Sequence, residues 1–177
     1  MKKPVGRGPV ACAAAAVALA ISLSATGAQA SEIGNGANVG VGLMLGAPSG
    51  LSLKFFFHND HAVDVGVGVG YFGGATLYVH ADYLFHFQLL SAETFELPLY
   101  IGIGGKFTLW FYEGYHGYWG GYTESGRFGA GVRVPIGIAF ELNAIPIDIF
   151  LEIVPGLGVF PGIGAFIDGA IGARYYF

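Results

Sequence analysis

From Ala62 to Phe72 the chain reads AVDVGVGVGYF. Val63, Val65, Val67, Val69 and Tyr71 take the odd positions; Ala62, Asp64, Gly66, Gly68 and Gly70 take the even ones. Successive side chains of an extended strand point to opposite faces, so a period of two predicts a strand with one apolar face and one small or polar face. The split recurs along the chain. Leu51, Leu53, Phe55 and Phe57 oppose Ser52 and Lys54, and Val79, Ala81, Tyr83, Phe85 and Phe87 oppose His80, Asp82 and His86. Ile101, Ile103 and Phe107 oppose Lys106, while Val132, Val134, Ile136, Ile138 and Phe140 oppose Arg133 and Glu141. Ile147, Ile149, Leu151 and Ile153 oppose Asp148 and Glu152, and Ile167, Ile171, Tyr175 and Phe177 oppose Asp168 and Arg174. With NVGVGLML around Val39 the pattern predicts eight strands.

Every charge inside a predicted strand falls on the less apolar face. The chain is 54% hydrophobic and 11% charged, yet no stretch after residue 30 reads as a membrane-spanning helix. Its longest uncharged run there, Ile33 to Leu53, is broken by Asn, Ser, Pro and glycines. Lipid demands that backbone polar groups pair internally, which leaves helices or closed barrels. A Lys or Arg on the lipid face at mid-depth costs roughly 2–4 kcal/mol, so the parity of the charges has a reason. A soluble ligand-binding barrel would invert the arrangement, with polar residues outside and an apolar lining. The expected fold is therefore all-β: an eight-stranded antiparallel up-and-down transmembrane β-barrel. Gly66, Gly68, Gly70, Gly102, Gly104, Gly129, Gly131 and Gly137 are expected to leave room in its interior for longer side chains opposite.

The N-terminus is read as a signal peptide over residues 1–30. Lys2, Lys3 and Arg7 precede an alanine-rich apolar run that closes with Ala28-Gln29-Ala30, a small-x-small cleavage site. Residues 31–177 form the expected outer-membrane domain. Removing the leader leaves five basic and twelve acidic residues, a formal charge of −7, and no basic run suited to nucleic acid. The single cysteine, Cys12, lies in the leader, so neither disulfides nor thiolate ligands are expected after it.

With eight strands both termini share the periplasmic side. His58–His61, Gln88–Pro98 and Asn143–Pro146 become periplasmic turns, the second longer than such turns usually are. Ala47–Gly50, Phe72–Thr76, Phe111–Ser125 and Phe160–Ala165 face outside. Pro135 is expected to mark a bulge. Tyr175 and Phe177 share the outward face, with Gly172 five positions before the end; this looks like the signal that barrel-assembly machinery reads. The stretches GLMLGAPSGLSLKFFFHNDHAVDVGVG, HADYLFHF, LPLYIGIGG, GVRVPIGIAFEL, IFLEIVPGLGVFP and FIDGAIGARYYF resemble a family of small bacterial outer-membrane β-barrel proteins without an established biochemical function. In size the chain is also similar to OmpA/OmpX-type eight-stranded domains. The resemblance implies fold and location and brings no catalytic residues.

The inward charges are Lys54, Lys106, Arg133 and Arg174 against Asp64, Asp82, Glu141, Asp148, Glu152 and Asp168. A barrel this narrow is filled by side chains, so a plug is expected, with Lys54, Lys106 and Arg133 pairing with Asp82 and Glu152. A charged channel or proton path is the alternative. His80 and His86 lie roughly 20 Å apart along one strand, too far to share an ion. His58, Asp60 and His61 read as an ordinary polar turn. The outward strand faces given above carry no Ser or His, and Ser52 points inward with no evident partner, so lipid-tail catalysis is not expected. GVGYFG at Gly68 to Gly73 formally fits a dinucleotide-binding pattern without the βαβ unit that would give it meaning. Neither a cofactor nor a metal is expected. Tyr112, Tyr115, His116, Tyr118, Trp119 and Tyr122, spaced by glycines in the outer loop, are the candidates for binding an extracellular protein or ligand. The expected role is non-enzymatic: a barrel in outer-membrane lipid presenting loops to a partner. The alternative is a narrow pore for ions or very small solutes.

Overall fold

The computed structural model describes residues 38–58, 60–70, 76–110 and 128–177, nearly all of them in strands or the turns between them. The strands are β1 (Val39–Ala47), β2 (Ser49–His58), β3 (His61–Gly70), β4 (Thr76–Ser91), β5 (Phe95–Trp110), β6 (Phe128–Arg133), β7 (Ile136–Leu142), β8 (Ile147–Phe160) and β9 (Gly164–Tyr176). Every pairing is antiparallel. β9 returns to β1, with Gly40 opposite Tyr176 and Ala47 opposite Gly169, so the nine strands of the single sheet close into a ring of eight positions.

β6 and β7 share one of those positions. Gly104 faces Arg133 and Ile101 faces Ile136, a constant offset across the break. On the other side Arg133 faces Gly156 and Ile136 faces Ile153, again without a shift. Pro135 therefore does not mark the expected bulge. Its carbonyl still accepts from Gly102 N at 2.9 Å, and Val134 N donates to Pro155 O at 2.9 Å. Only the donor that proline lacks is missing, which interrupts the ladder without changing the register. The shifts fall elsewhere, between Phe56 and His58, Gln88 and Leu90, and Ala130 and Gly131.

The expected long turn Gln88–Pro98 is corrected too. The β4–β5 ladder runs on to Ser91 opposite Glu96, leaving residues 92–94 as the turn. That turn is clasped to the Asn143–Pro146 turn, because Asn143 Nδ2 donates to the carbonyls of Ala92 and Glu93, both at 3.1 Å. The end of the ring holding these turns also carries Val39 and Phe177, joined by Phe177 N to Val39 O at 2.9 Å. At the opposite end Gly46 turns the chain with φ 139°, a conformation L side chains rarely adopt, and Ser49 Oγ accepts from its N–H at 2.9 Å.

The faces follow the alternation. Ser52, Lys54, Asp64, His80, Asp82, His86, Tyr100, Arg133, Glu141, Asp148, Glu152, Arg174 and Tyr176 are buried inside the ring. Each strand exposes large apolar side chains outside, among them Leu43 (64%), Leu51, Val67, Phe85, Ile103 (58%), Val132, Ile138, Leu151 and Ile171. Interior glycines let bulky neighbours lie flat across the adjoining strand. A Cβ at Gly66 would overlap the His80 ring, at Gly104 the Asp82 carboxylate, and at Gly137 the Tyr100 phenol. At Gly102 it would meet Leu84 and at Gly129 Trp110, as expected, whereas at Gly68 and Gly131 the nearest atoms are backbone and at Gly70 there is space.

Candidate functional site

The inward-facing charges come together as two linked clusters around two arginines. Alternation aims each side chain inward, and strand register decides which ones meet. Nearer the turn end, Arg174 on β9 donates from Nη2 to Asp64 at 3.0 Å, from Nη1 to Asp148 at 3.3 Å and from Nε to Ser52 Oγ at 2.8 Å. Its guanidinium carbon lies 3.7 Å from the Phe150 ring centroid, and Tyr176 OH donates to Asp148 at 2.7 Å. Further along, Arg133 Nη2 donates to Glu152 at 3.4 Å and Nη1 to Tyr78 OH at 3.1 Å. Arg133 Nε lies 3.1 Å from Asp82 Oδ2, an ion pair off the N–H direction. Tyr100 OH donates to Glu152 at 3.1 Å. Lys106 and Tyr78 both donate to Asp168 Oδ2, at 2.9 and 2.6 Å.

The expected plug pairing holds for Arg133, which meets both Asp82 and Glu152, and fails for the two lysines. Lys106 pairs with Asp168, across the ring from its own ladder neighbours, and caps the Phe166 ring at 3.1 Å from the centroid. Lys54, fully buried, makes no hydrogen bond among the described residues. Its Nζ sits 4.8 Å from the Phe56 ring centroid and 5.0 Å from that of Tyr100, where ring quadrupoles receive part of the charge. Ser52, expected to lack a partner, accepts from Arg174 and donates to Asp64 at 3.4 Å. Glu141 is buried on the same face.

His86 packs against Phe56 (4.9 Å between centroids) and Tyr100 (5.6 Å), while His80 Nδ1 bonds Asp82 Oδ2 at 3.0 Å. The two histidines therefore belong to different surroundings, as their spacing implied. What the spacing did not show is Asp64: it faces Asp82 directly across the β3–β4 ladder and so joins His80 and Asp82. One ligand atom from each of these three lies within 4.8 Å of the others.

At the turn end, His61 Nε2 is 3.3 Å from Asp60 and its Nδ1 is 3.0 Å from Tyr83 OH. His61 opens β3 on the outward side, against Tyr83 and Phe85. Tyr175 and Phe177 are exposed outward with centroids 5.1 Å apart, and Gly172 admits the Phe150 ring. Tyr112, Tyr115, His116, Tyr118, Trp119 and Tyr122, like the leader over residues 1–30, lie outside the described residues.

No curated protein and no solved structure matches this chain. A family model does match it, over residues 30–174, a span that contains all nine strands almost to their end. The chain belongs to that protein family of unknown function, DUF3996.

Proposed function

We propose that this chain is an exported transmembrane β-barrel of the bacterial outer membrane, non-enzymatic, which presents its outer loops, chiefly 111–125, to a partner. One observation carries the membrane reading: the ring is polar inside and apolar outside. Every strand contributes exposed Leu, Ile, Val or Phe to a continuous belt, while Lys54 and Arg133 are 0% exposed. Apolar belts of that extent are costly in water and are what hydrocarbon accommodates. A closed ring also leaves no unpaired strand edge in lipid. The basic, alanine-rich N-terminus ending in Ala28-Gln29-Ala30 supports export. In this reading the turns at 92–94 and 143–146 are periplasmic, and Gly172, Tyr175 and Phe177 form the assembly signal.

The loop-presenting role is supported by the state of the interior. Two arginine clusters fill the interior with buried, mutually bonded side chains. Single-channel recording of the refolded chain in a planar bilayer tests it. A folded, inserted and electrically silent protein is expected; discrete openings altered by Lys106→Glu or Arg133→Glu would make a narrow pore the better reading. Deleting loop 111–125 should abolish surface binding while leaving the barrel folded. Retained binding would move the recognition site elsewhere.

A further inference from the structure

The interior of the ring is short of positive charge at one place. Along it lie four cations (Lys54, Lys106, Arg133, Arg174) and six acids (Asp64, Asp82, Glu141, Asp148, Glu152, Asp168), a difference of −2 even without Glu96 at the rim. Lys106 serves Asp168 alone. Arg133 is divided between Asp82 and Glu152, and Arg174 between Asp64 and Asp148. Asp64 and Asp82, one from each cluster, stand directly opposite on β3 and β4. Two carboxylates so placed, each with half a guanidinium, need further positive charge to remain ionised away from water.

His80 stands beside them in a particular tautomeric arrangement. Its Nδ1 is 3.0 Å from Asp82 Oδ2, an acceptor that places the proton on Nδ1. Nε2 is buried and without a hydrogen-bond partner. It lies over Gly66 beside the Met44 methyl, neither of which supplies a donor to it. Asp82 Oδ1 is likewise buried and unpartnered. An imidazole and a carboxylate that keep unpartnered buried atoms, beside a second carboxylate, are ligand types that hold first-row divalent ions.

From this we infer that Asp64, His80 and Asp82 form a divalent metal site inside the ring, of the zinc class. One atom from each of the three residues serves as a ligand, with water in a fourth position. One divalent ion supplies the two missing charges. A nitrogen with two carboxylate oxygens favours zinc and its first-row neighbours over calcium or magnesium, which take oxygen ligands alone. The three atoms, within 4.8 Å of one another, must draw in to the roughly 3.4 Å that separates ligands around tetrahedral zinc. All three residues sit on one paired ladder, which keeps their side chains next to one another. The histidine spacing along β4 argued against a metal because it considered only that strand; the third ligand comes from β3.

The site is enclosed, so the ion is loaded as the chain folds. The mature protein is refolded into lipid vesicles with ZnCl2, with CaCl2 or with EDTA, desalted, and assayed for bound metal and for its unfolding temperature. About one zinc per chain is expected, with a raised unfolding temperature, no retained calcium, and the same result for a His58→Ala/His61→Ala variant. His80→Gln should lower zinc affinity by at least about tenfold. Refolding the unaltered protein with Co2+ gives a readout that needs no variant: ligand-field absorption in the visible is expected. Lack of that absorption, zinc uptake unchanged in His80→Gln, or equal retention of calcium would overturn the assignment. So would stability that rises on acidification and ignores zinc, since protons would then supply the missing charge.

Discussion

Replacing Arg133 with alanine is the most informative single perturbation of the interior. Its guanidinium, 0% exposed, stands 3.1 Å from Asp82 and 3.4 Å from Glu152, and among the described residues no other arginine or lysine forms an ion pair with either. Arg174 is committed to Asp64 and Asp148, and Lys106 to Asp168. The variant takes the guanidinium away from two buried carboxylates and leaves Tyr78 OH without one of its partners. Breaking a buried pair by removing one partner costs about 3–5 kcal/mol, a large part of the 5–15 kcal/mol that holds a typical domain together. With a urea dependence of about 2 kcal/mol/M, the unfolding midpoint should fall by roughly 2 M. The assay is urea unfolding in lipid vesicles followed by tryptophan fluorescence. Arg133→Lys keeps the charge without the two-pronged geometry and should fall between the two. A loss below about 0.5 kcal/mol for Arg133→Ala would mean that water reaches Asp82 and Glu152 freely. The plugged interior would then be wrong.

Ile103 and Leu151 test what surrounds the ring: Ile103→Lys or Leu151→Arg should cost roughly 2–4 kcal/mol in the vesicle assay, whereas a water-facing surface would register almost nothing. Gly137→Ala places a methyl group against the Tyr100 phenol and the Leu151 carbonyl and should cost about 1–3 kcal/mol, read as an earlier urea midpoint; an unchanged midpoint would mean that Tyr100 moves aside without loss. Tyr176→Phe removes the hydroxyl that donates to Asp148 at 2.7 Å and should destabilise by about 1–3 kcal/mol, with no effect on surface binding by the outer loops.

Much of this architecture is legible in the chain because a strand's period is two. From Ala62 to Gly70 and from Leu77 to Phe87, parity alone assigns each side chain to its face, and the inward set contains the charges that are found buried. The same parity explains why Tyr176 turns in while Tyr175 and Phe177 turn out. Local composition also marks the Asn143–Pro146 turn. It misleads at Gln88–Pro98, where a polar, mixed stretch is held in a ladder by cross-strand bonds that no local pattern announces. At Pro135 a missing donor was read as a bulge, although neighbours on both sides keep the strand in register.

Contacts between strands were decided by tertiary structure. Parity says that Lys54, Lys106 and Arg133 point inward, but the stagger between strands and the reach across the ring choose Asp168 for Lys106 and two aromatic rings for Lys54. Glycine positions make sense only with their partners: Gly66 under His80, Gly104 under Asp82 and Gly137 under Tyr100 are cross-strand relations. The meeting of Asp64 with His80 and Asp82 is of the same kind, set by a register that pairs residue 64 with residue 82. A sequence of alternating residues thus determined what faces the interior and what faces outward, because alternation is a property of one strand. Which interior groups share a charge, a proton or an ion was left to the closure of the ring, because that depends on how strands are aligned against each other.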